Sequence, residues 1–341
     1  MDLRPSDEQQ LLIDSFAALY AKESSPERVR AAEPSGFDPR LWEQLVAQGS
    51  LAMAVDEEHD GWGATPLDLA LVAQQHGRAI GSAPLIETQV AARLLARAGG
   101  TEADAVLRGA LDGDRLVAVA LRTPTGGVAE LVPAGAVATD VLVLRDQQLV
   151  VVPAGDDRVI PENVGCMPLA DLPVPTSGGT VLSEGPAAAR LLDAALDDWL
   201  VLTAAALSGI AQRSVEIGVA YAAERQAFGQ KIGSFQAVGH RLADCATRAA
   251  GADLLAREAA WSATEDPDRS PELAAMAFAF AATAARDASD WSLHFHGGYG
   301  FMLEYDIQLY YRRARAWANV VMSPAAAARR VADRRYGPVA S

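Results

Sequence analysis

The stretch Tyr221-Ala222-Ala223-Glu224-Arg225-Gln226-Ala227-Phe228-Gly229-Gln230-Lys231-Ile232-Gly233-Ser234-Phe235-Gln236 joins two long helical patterns. Upstream, Ala187 to Glu224 is apolar on nearly every side between Trp199 and Leu207, the pattern of a helix buried all round. Downstream, Ser234 is a good N-cap for a helix that runs past Trp261. Arg225 falls in the last turn of the first helix, where its charge suits the dipole, and Gly229 and Gly233 make the turn. A guanidinium beside exposed backbone N–H groups suits a pyrophosphate. Phe228 offers a flat apolar surface to a ring system, and Gln236 offers paired amide hydrogen bonds. The same residues also describe a plain helix hairpin with a surface arginine and a packed phenylalanine.

A second glycine cluster follows at His296-Gly297-Gly298-Tyr299-Gly300-Phe301-Met302-Leu303-Glu304-Tyr305. Adjacent glycines let a backbone approach a ligand closely, because no Cβ intervenes. A helix ended by Gly297 in a left-handed turn is compatible with that reading. Around these segments, a third helix follows Ser270-Pro271 and reaches Phe295, and a fourth covers Gln308 to Asp333. Four long helices with short connections predict an antiparallel bundle over residues 186–341. Their all-round apolarity predicts that the bundle also packs against another subunit.

Toward the N-terminus, residues 1–110 are helical in pattern. Asp7 is placed to cap a helix through Leu12, Phe16 and Leu19, and Phe37-Asp38-Pro39 opens another. The loop Asp56-Glu57-Glu58-His59-Asp60-Gly61 precedes a helix restart at Thr65-Pro66. Residues 111–185 change texture to short β-rich runs, LVAVAL, DVLVL and QLVVV, with a hairpin turn near Asp146-Gln147-Gln148. The fold class is mainly α with a small β domain, in the order helical domain, β domain, four-helix domain.

A chain of 341 residues with a net charge of −15 buries a sizeable core and lacks a broad basic face for nucleic acid. Its two cysteines, Cys166 and Cys245, are far apart and in no metal-ligand spacing, so no metal is expected. The N-terminus has no basic stretch leading into an apolar one. The greasiest runs, Trp199 to Ala211 and Ala274 to Ala285, fall short of the roughly 20 residues that span a bilayer. A cytoplasmic protein without a membrane partner is the expectation.

Residue by residue, 225–236 resembles the acyl-CoA dehydrogenase signature R-x-x-F-G-x-x-I-G-x-F-Q, and 297–305 resembles that family's G-G-x-G-[FY]-x-x-E-[YH] block. Residues 37–84 are similar to the family's N-terminal pattern, with Asp56-Glu57-Glu58-His59-Asp60-Gly61 where Pro-Glu-Glu-x-Gly-Gly is usual. The resemblance implies an acyl-CoA dehydrogenase-like fold, FAD as cofactor and an acyl-CoA substrate. It further implies an electron-transfer flavoprotein as redox partner and a place in fatty acid or sterol side-chain degradation. Arg225, Phe228 and Gln236 are the positions that would hold the flavin's diphosphate and adenosine portion across a subunit interface. Gly297 and Gly298 would supply backbone contacts to the flavin of a neighbouring subunit.

The family's chemistry removes an α proton with a carboxylate while a hydride passes from the β carbon to the flavin. Such a base needs a pKa raised toward neutrality. The usual position of that glutamate falls on Val321, and the minority position falls on Trp199. Neither side chain accepts a proton. Asp198 is the adjacent candidate, although one residue turns about 100° around a helix. The β domain also departs from the family, because Thr123-Pro124 is all that remains of its T-E-P-x-A-G-S-D run and a hairpin is missing. This asymmetry resembles the shortened subunit of heteromeric enzymes from actinobacterial sterol degradation, in which a fuller subunit bears the base. A heterotetramer with such a partner is therefore expected. The alternatives are a self-sufficient homo-oligomer using Asp198, a non-catalytic assembly module of the same fold, and a family-fold flavin monooxygenase.

Overall fold

The computed structural model describes residues 3–337. Its N-terminal helices are α1 (Asp7–Glu23), α2 (Pro26–Ala32), α3 (Pro39–Ala47), α4 (Pro66–Arg78), α5 (Leu85–Ala98) and α6 (Gly100–Leu111). The strands β1 (Val117–Val119), β2 (Val128–Val132), β3 (Asp140–Arg145), β4 (Gln148–Pro153), β5 (Ala170–Pro173) and β6 (Thr180–Glu184) follow. The long helix α7 (Gly185–Glu224) leads into a two-residue-stranded hairpin, β7 (Gln226–Ala227) and β8 (Gln230–Lys231). Helices α8 (Gln236–Glu265), α9 (Ser270–Phe295), α10 (Ile307–Trp317) and α11 (Pro324–Tyr336) complete the chain. The fold is mainly α with a small β portion.

Two compact units share these elements. One comprises Glu27–Leu69 and Ser82–Trp199, and the other comprises, among the described residues, 3–26, Ala70–Gly81 and 200–337. Helix α7 belongs to both. It is long and apolar enough to cross a bilayer by length and composition, contrary to the shorter runs read from sequence. However, 78% of its most apolar window is buried in the protein, as in a core helix.

The first unit holds the sheet. Its order is β1-β3-β4-β6, with β1 parallel to β3 and the other pairs antiparallel, and β2 and β5 form a separate antiparallel pair. Asp146 and Gln147 connect β3 to β4 with φ of 49° and 63°, the two left-handed residues of a hairpin turn of the I′ kind. Helix α5 packs against α6 and β1 and is buried nearly all round, from Leu85 and Gln89 to Leu94 and Leu95. Glu87, in its first turn, keeps a little surface, but burial pushes its carboxyl up to about 7 against a weaker downward pull from its own backbone N–H. A carboxyl raised in the folded state favours folding while protonated and opposes it once ionised, so its penalty grows from pH 4.5 and is complete above about 7. Glu87→Gln is expected to stabilise the chain by about 1–3 kcal/mol at pH 8 and to be neutral near pH 4.5. Urea unfolding at the two pH values measures the difference, and equal gains at both would refute it.

In the second unit, α9 packs against α8, α10 and α11. Three expectations from sequence need correction here. Ser6 caps α1 in place of Asp7: its hydroxyl accepts from Gln9 N at 3.2 Å while Gln9 Oε1 accepts from Ser6 N at 3.1 Å. Ser234 does not cap α8, because its hydroxyl donates to Lys231 O at 2.6 Å and closes a 3₁₀ turn instead. The fourth bundle helix is broken, since Asn319 Nδ2 bonds Arg315 O at the end of α10 and Ser323 caps a new start with Pro324 at its first position. Val320 and Val321 lie buried in that break.

Candidate functional site

The turn after α7 is a tight hairpin. Gln226 pairs with Lys231 and Ala227 with Gln230, and Phe228 and Gly229 both have positive φ, 53° and 80°. This puts Phe228 at the tip, 96% exposed, with its ring edge-on to Phe235 at 6.3 Å between centroids. Arg225 and Gln236, at the end of α7 and the start of α8, are exposed on either side of the hairpin.

The glycine cluster forms a 3₁₀ turn after α9, over Gly297–Phe301. Its glycines divide by role. At Gly300 a Cβ would meet Leu293 O at 2.5 Å, so this one lets the turn fold back on its own helix. At Gly297 and Gly298 nothing lies within 4 Å of where a Cβ would stand, so their backbone faces open space. Tyr299, Phe301, Met302 and Leu303 around them are all exposed. Glu304 is exposed in the loop, and α10 has no side-chain cap at Asp306.

The two segments meet within this one unit. Arg225 Cζ stands 5.9 Å from the centroid of the Tyr299 ring, and Tyr221 stacks on His296 at 3.9 Å and 21°. His296 is buried, its Nδ1–H donates to Ser292 O at 2.6 Å, and burial holds its pKa below the ordinary histidine value despite that bond. It is therefore neutral at pH 7 and works as an apolar plate. Among the described residues, Phe228 and Gln236 make no hydrogen bond or ring contact with 296–305. The sequence reading passed over Tyr299; the spacing of Tyr221 and Arg225, four apart on a helix, was the one available hint that this ring group points the same way.

A flavin dinucleotide fits these groups on chemical grounds. An exposed guanidinium, an uncovered aromatic, an exposed carboxamide and two bare glycine backbones match a pyrophosphate, a ring system and a close-approaching chain. Arg225, Phe228, Gln236, Gly297 and Gly298 are the residues that would hold it.

The other site positions lie elsewhere. Trp199 is among the largest fully buried side chains, at 2% exposure, and Val321 is 8% exposed, so both positions of the usual base are filled by apolar volume. Asp198 is a clamped ion: Arg93 Nε reaches it at 3.0 Å, and Arg97 reaches its two oxygens at 2.5 and 3.1 Å. Burial alone would raise its pKa, but the Arg93 and Arg97 charges and hydrogen bonds outweigh that and hold it below the usual carboxylate range. A base for an α proton needs the opposite shift. In the sheet unit, Thr123 and Pro124 line a cleft of about 260 Å3 with Gly127 and Thr176. Arg145 on its wall is occupied by Pro175 O at 2.5 Å and Gly178 O at 2.9 Å.

Residues 6–113 match the acyl-CoA dehydrogenase N-terminal domain, and residues 191–318 match the acyl-CoA dehydrogenase C-terminal domain. The chain is 32% identical to the acyl-CoA dehydrogenase IpdE2 of Mycolicibacterium smegmatis, over 96% of this chain and 98% of that one. Among solved structures, the ChsE4-ChsE5 complex from Mycobacterium tuberculosis superposes with a TM-score of 0.89 at 26% identity, covering 99% of this chain and 100% of that one. A Tcur3481-Tcur3483 steroid ACAD variant gives a TM-score of 0.86 at 26% identity, covering 96% and 98%.

Proposed function

Since the chain belongs to the acyl-CoA dehydrogenase family, we propose that it is the flavin-lending subunit of a heteromeric, FAD-dependent enzyme that introduces an α,β double bond into an acyl-CoA thioester. The observation that carries this reading is the pairing of exposed, uncovered groups at Arg225, Phe228, Gln236, Gly297 and Gly298 with apolar side chains at both base positions, Trp199 and Val321. The chemistry needs a carboxylate that neither Trp199 nor Val321 supplies.

FAD, when bound, supplies the hydride acceptor. This chain's part is electrostatic and steric. Arg225 neutralises one or both phosphates with a charge-assisted, two-pronged donor set. Gly297 and Gly298 admit the cofactor to hydrogen-bonding distance of the backbone. Phe228 and Gln236 receive the adenosine end by ring contact and amide hydrogen bonds. The α proton would need a carboxylate supplied by a partner subunit, and an electron-transfer flavoprotein is the class of protein that would reoxidise the bound flavin. A bulky, ring-bearing acyl group is the substrate class we assign, supported by the likeness to a steroid enzyme of two different chains.

The test is to purify the chain alone and co-expressed with a longer family member that carries glutamate at the position equivalent to Val321. Flavin absorbance and dye-linked oxidation of a steroid acyl-CoA are recorded for each. A colourless, inactive single chain that gains flavin and activity on co-expression is the expected result. Yellow, active protein from the single chain would refute the reading in favour of a homo-oligomer, and absence of flavin in both would leave an assembly module.

A further inference from the structure

We propose that Tyr299 is a positioning residue that holds the Arg225 guanidinium in place for a pyrophosphate, as one link of a closed circuit of side chains binding the two glycine-bearing segments together. This rests on the flavin-lending reading above and adds to it the device that orients its principal cation. The circuit runs from Arg225 to the Tyr299 ring at 5.9 Å, from Tyr299 to Tyr305 at 5.7 Å, and from Tyr305 edge-on to His296 at 5.8 Å. It continues from His296 stacked on Tyr221 at 3.9 Å. Tyr221 closes it, because Arg225 N donates to Tyr221 O at 2.9 Å one helical turn later.

Each link has a reason. Arg225 is exposed, and among the described residues its guanidinium meets no carboxylate, so nothing ionic fixes its four rotatable bonds. A long cation that must be ordered on binding loses rotamer freedom at that moment. A tyrosine face within about 6 Å attracts the cation without neutralising it, which leaves its donors available to phosphate. An acidic partner would orient it equally well but would compete with the ligand. Tyr299 is 45% exposed, so its ring is not needed to fill the core, whereas the Tyr305 ring that it contacts leans edge-on against the buried His296.

The measurement is FAD affinity of the deflavinated protein, in whichever assembly binds flavin, for Tyr299→Phe, Tyr299→Leu, Arg225→Ala and the double variant Arg225→Ala/Tyr299→Leu. Tyr299→Leu is expected to weaken FAD by about two- to five-fold. Tyr299→Phe keeps the ring face and should bind as the parent does. In the Arg225→Ala background, Tyr299→Leu should add nothing, since there is no guanidinium left to orient. Parental affinity in Tyr299→Leu, equal weakening by Phe and Leu, or additive losses in the double variant would each overturn the positioning role. If Arg225→Ala itself leaves FAD affinity unchanged, the flavin-lending site falls, and Tyr299's role with it. A loss with Arg225→Ala but none with Tyr299→Leu sinks the positioning role alone.

Discussion

Gly77→Ala is expected to destabilise the unit that carries the bundle by about 3 kcal/mol or more, enough to leave little soluble, folded protein. A Cβ built on Gly77 of α4 would lie 1.8 Å from Ala206 O and 2.5 Å from Ala206 C on α7. The crossing is reciprocal, for a Cβ on Gly209 would lie 2.2 Å from Gln74 O and 2.8 Å from Arg78 N. The obstructing atoms are backbone, so no rotamer change relieves the clash and one helix must move. Movement is resisted by the polar bonds that flank the crossing. Gln74 Nε2 donates to Ser208 Oγ at 3.3 Å and to Asp253 at 2.6 Å, Arg78 donates to Gln212 at 3.1 Å and Glu216 at 2.8 Å, and Tyr310 donates to Arg78 O at 2.8 Å. Gly239→Ala on α8 is the control. Its Cβ meets only Gly233 O at 3.6 Å, and helix propensity predicts a neutral to stabilising effect there. Urea midpoints of the two variants decide the matter: a Gly77→Ala protein as stable as Gly239→Ala would disprove the tight crossing.

That crossing was not legible in the sequence, and the reason is general to this chain. What sequence reading recovered is local. Ser270-Pro271 and the apolar run to Phe295 mark α9 because proline geometry and periodicity act within one turn. The turn at Asp146-Gln147 is likewise set by neighbours in the chain. Non-local pairings escaped. Asp198 looks like a spare carboxylate until α5 brings Arg93 and Arg97 to it, and Gly77 looks like a weak spot in a helix until α7 lies against it. Local rules also competed with one another. Ser234 satisfies the N-cap rule, but closing a 3₁₀ turn on Lys231 takes its hydroxyl first. Apolar periodicity carried through Val320 and Val321 hid the break that Ser323-Pro324 announces. Of the candidate site, the motifs gave the residue identities, while the contact between Arg225 and Tyr299 required the fold.

The unit holding Gly77 is also expected to be acid-labile through one residue, His76. Its ring is 2% exposed, stacked on Trp317 at 5.5 Å and 4°, with Nδ1 2.9 Å from the Tyr20 hydroxyl. Burial, assisted by the buried charge of Arg313 on α10, pushes its pKa down to about 3. No carboxylate faces it to stabilise a proton: its described neighbours are a phenol held well above its usual pKa by burial, an indole and a guanidinium. The unfolded chain therefore takes up a proton near pH 6.5 that the folded chain refuses until about 3. Folding stability from this group is complete above pH 6.5 and is lost as pH falls, at about 1.4 kcal/mol per pH unit and about 5 kcal/mol in all. His76→Gln, which retains a hydrogen-bonding partner for Tyr20 but does not titrate, should be less stable than the parent at pH 7.5 because it forfeits the stack on Trp317. Between pH 6.5 and 5, where most carboxylates remain ionised, its stability should fall less steeply than the parent's by about that slope. Parallel pH dependences for the two proteins would mean that His76 is protonated in the fold, and the buried stack on Trp317 would then need a counter-charge that no residue around it supplies.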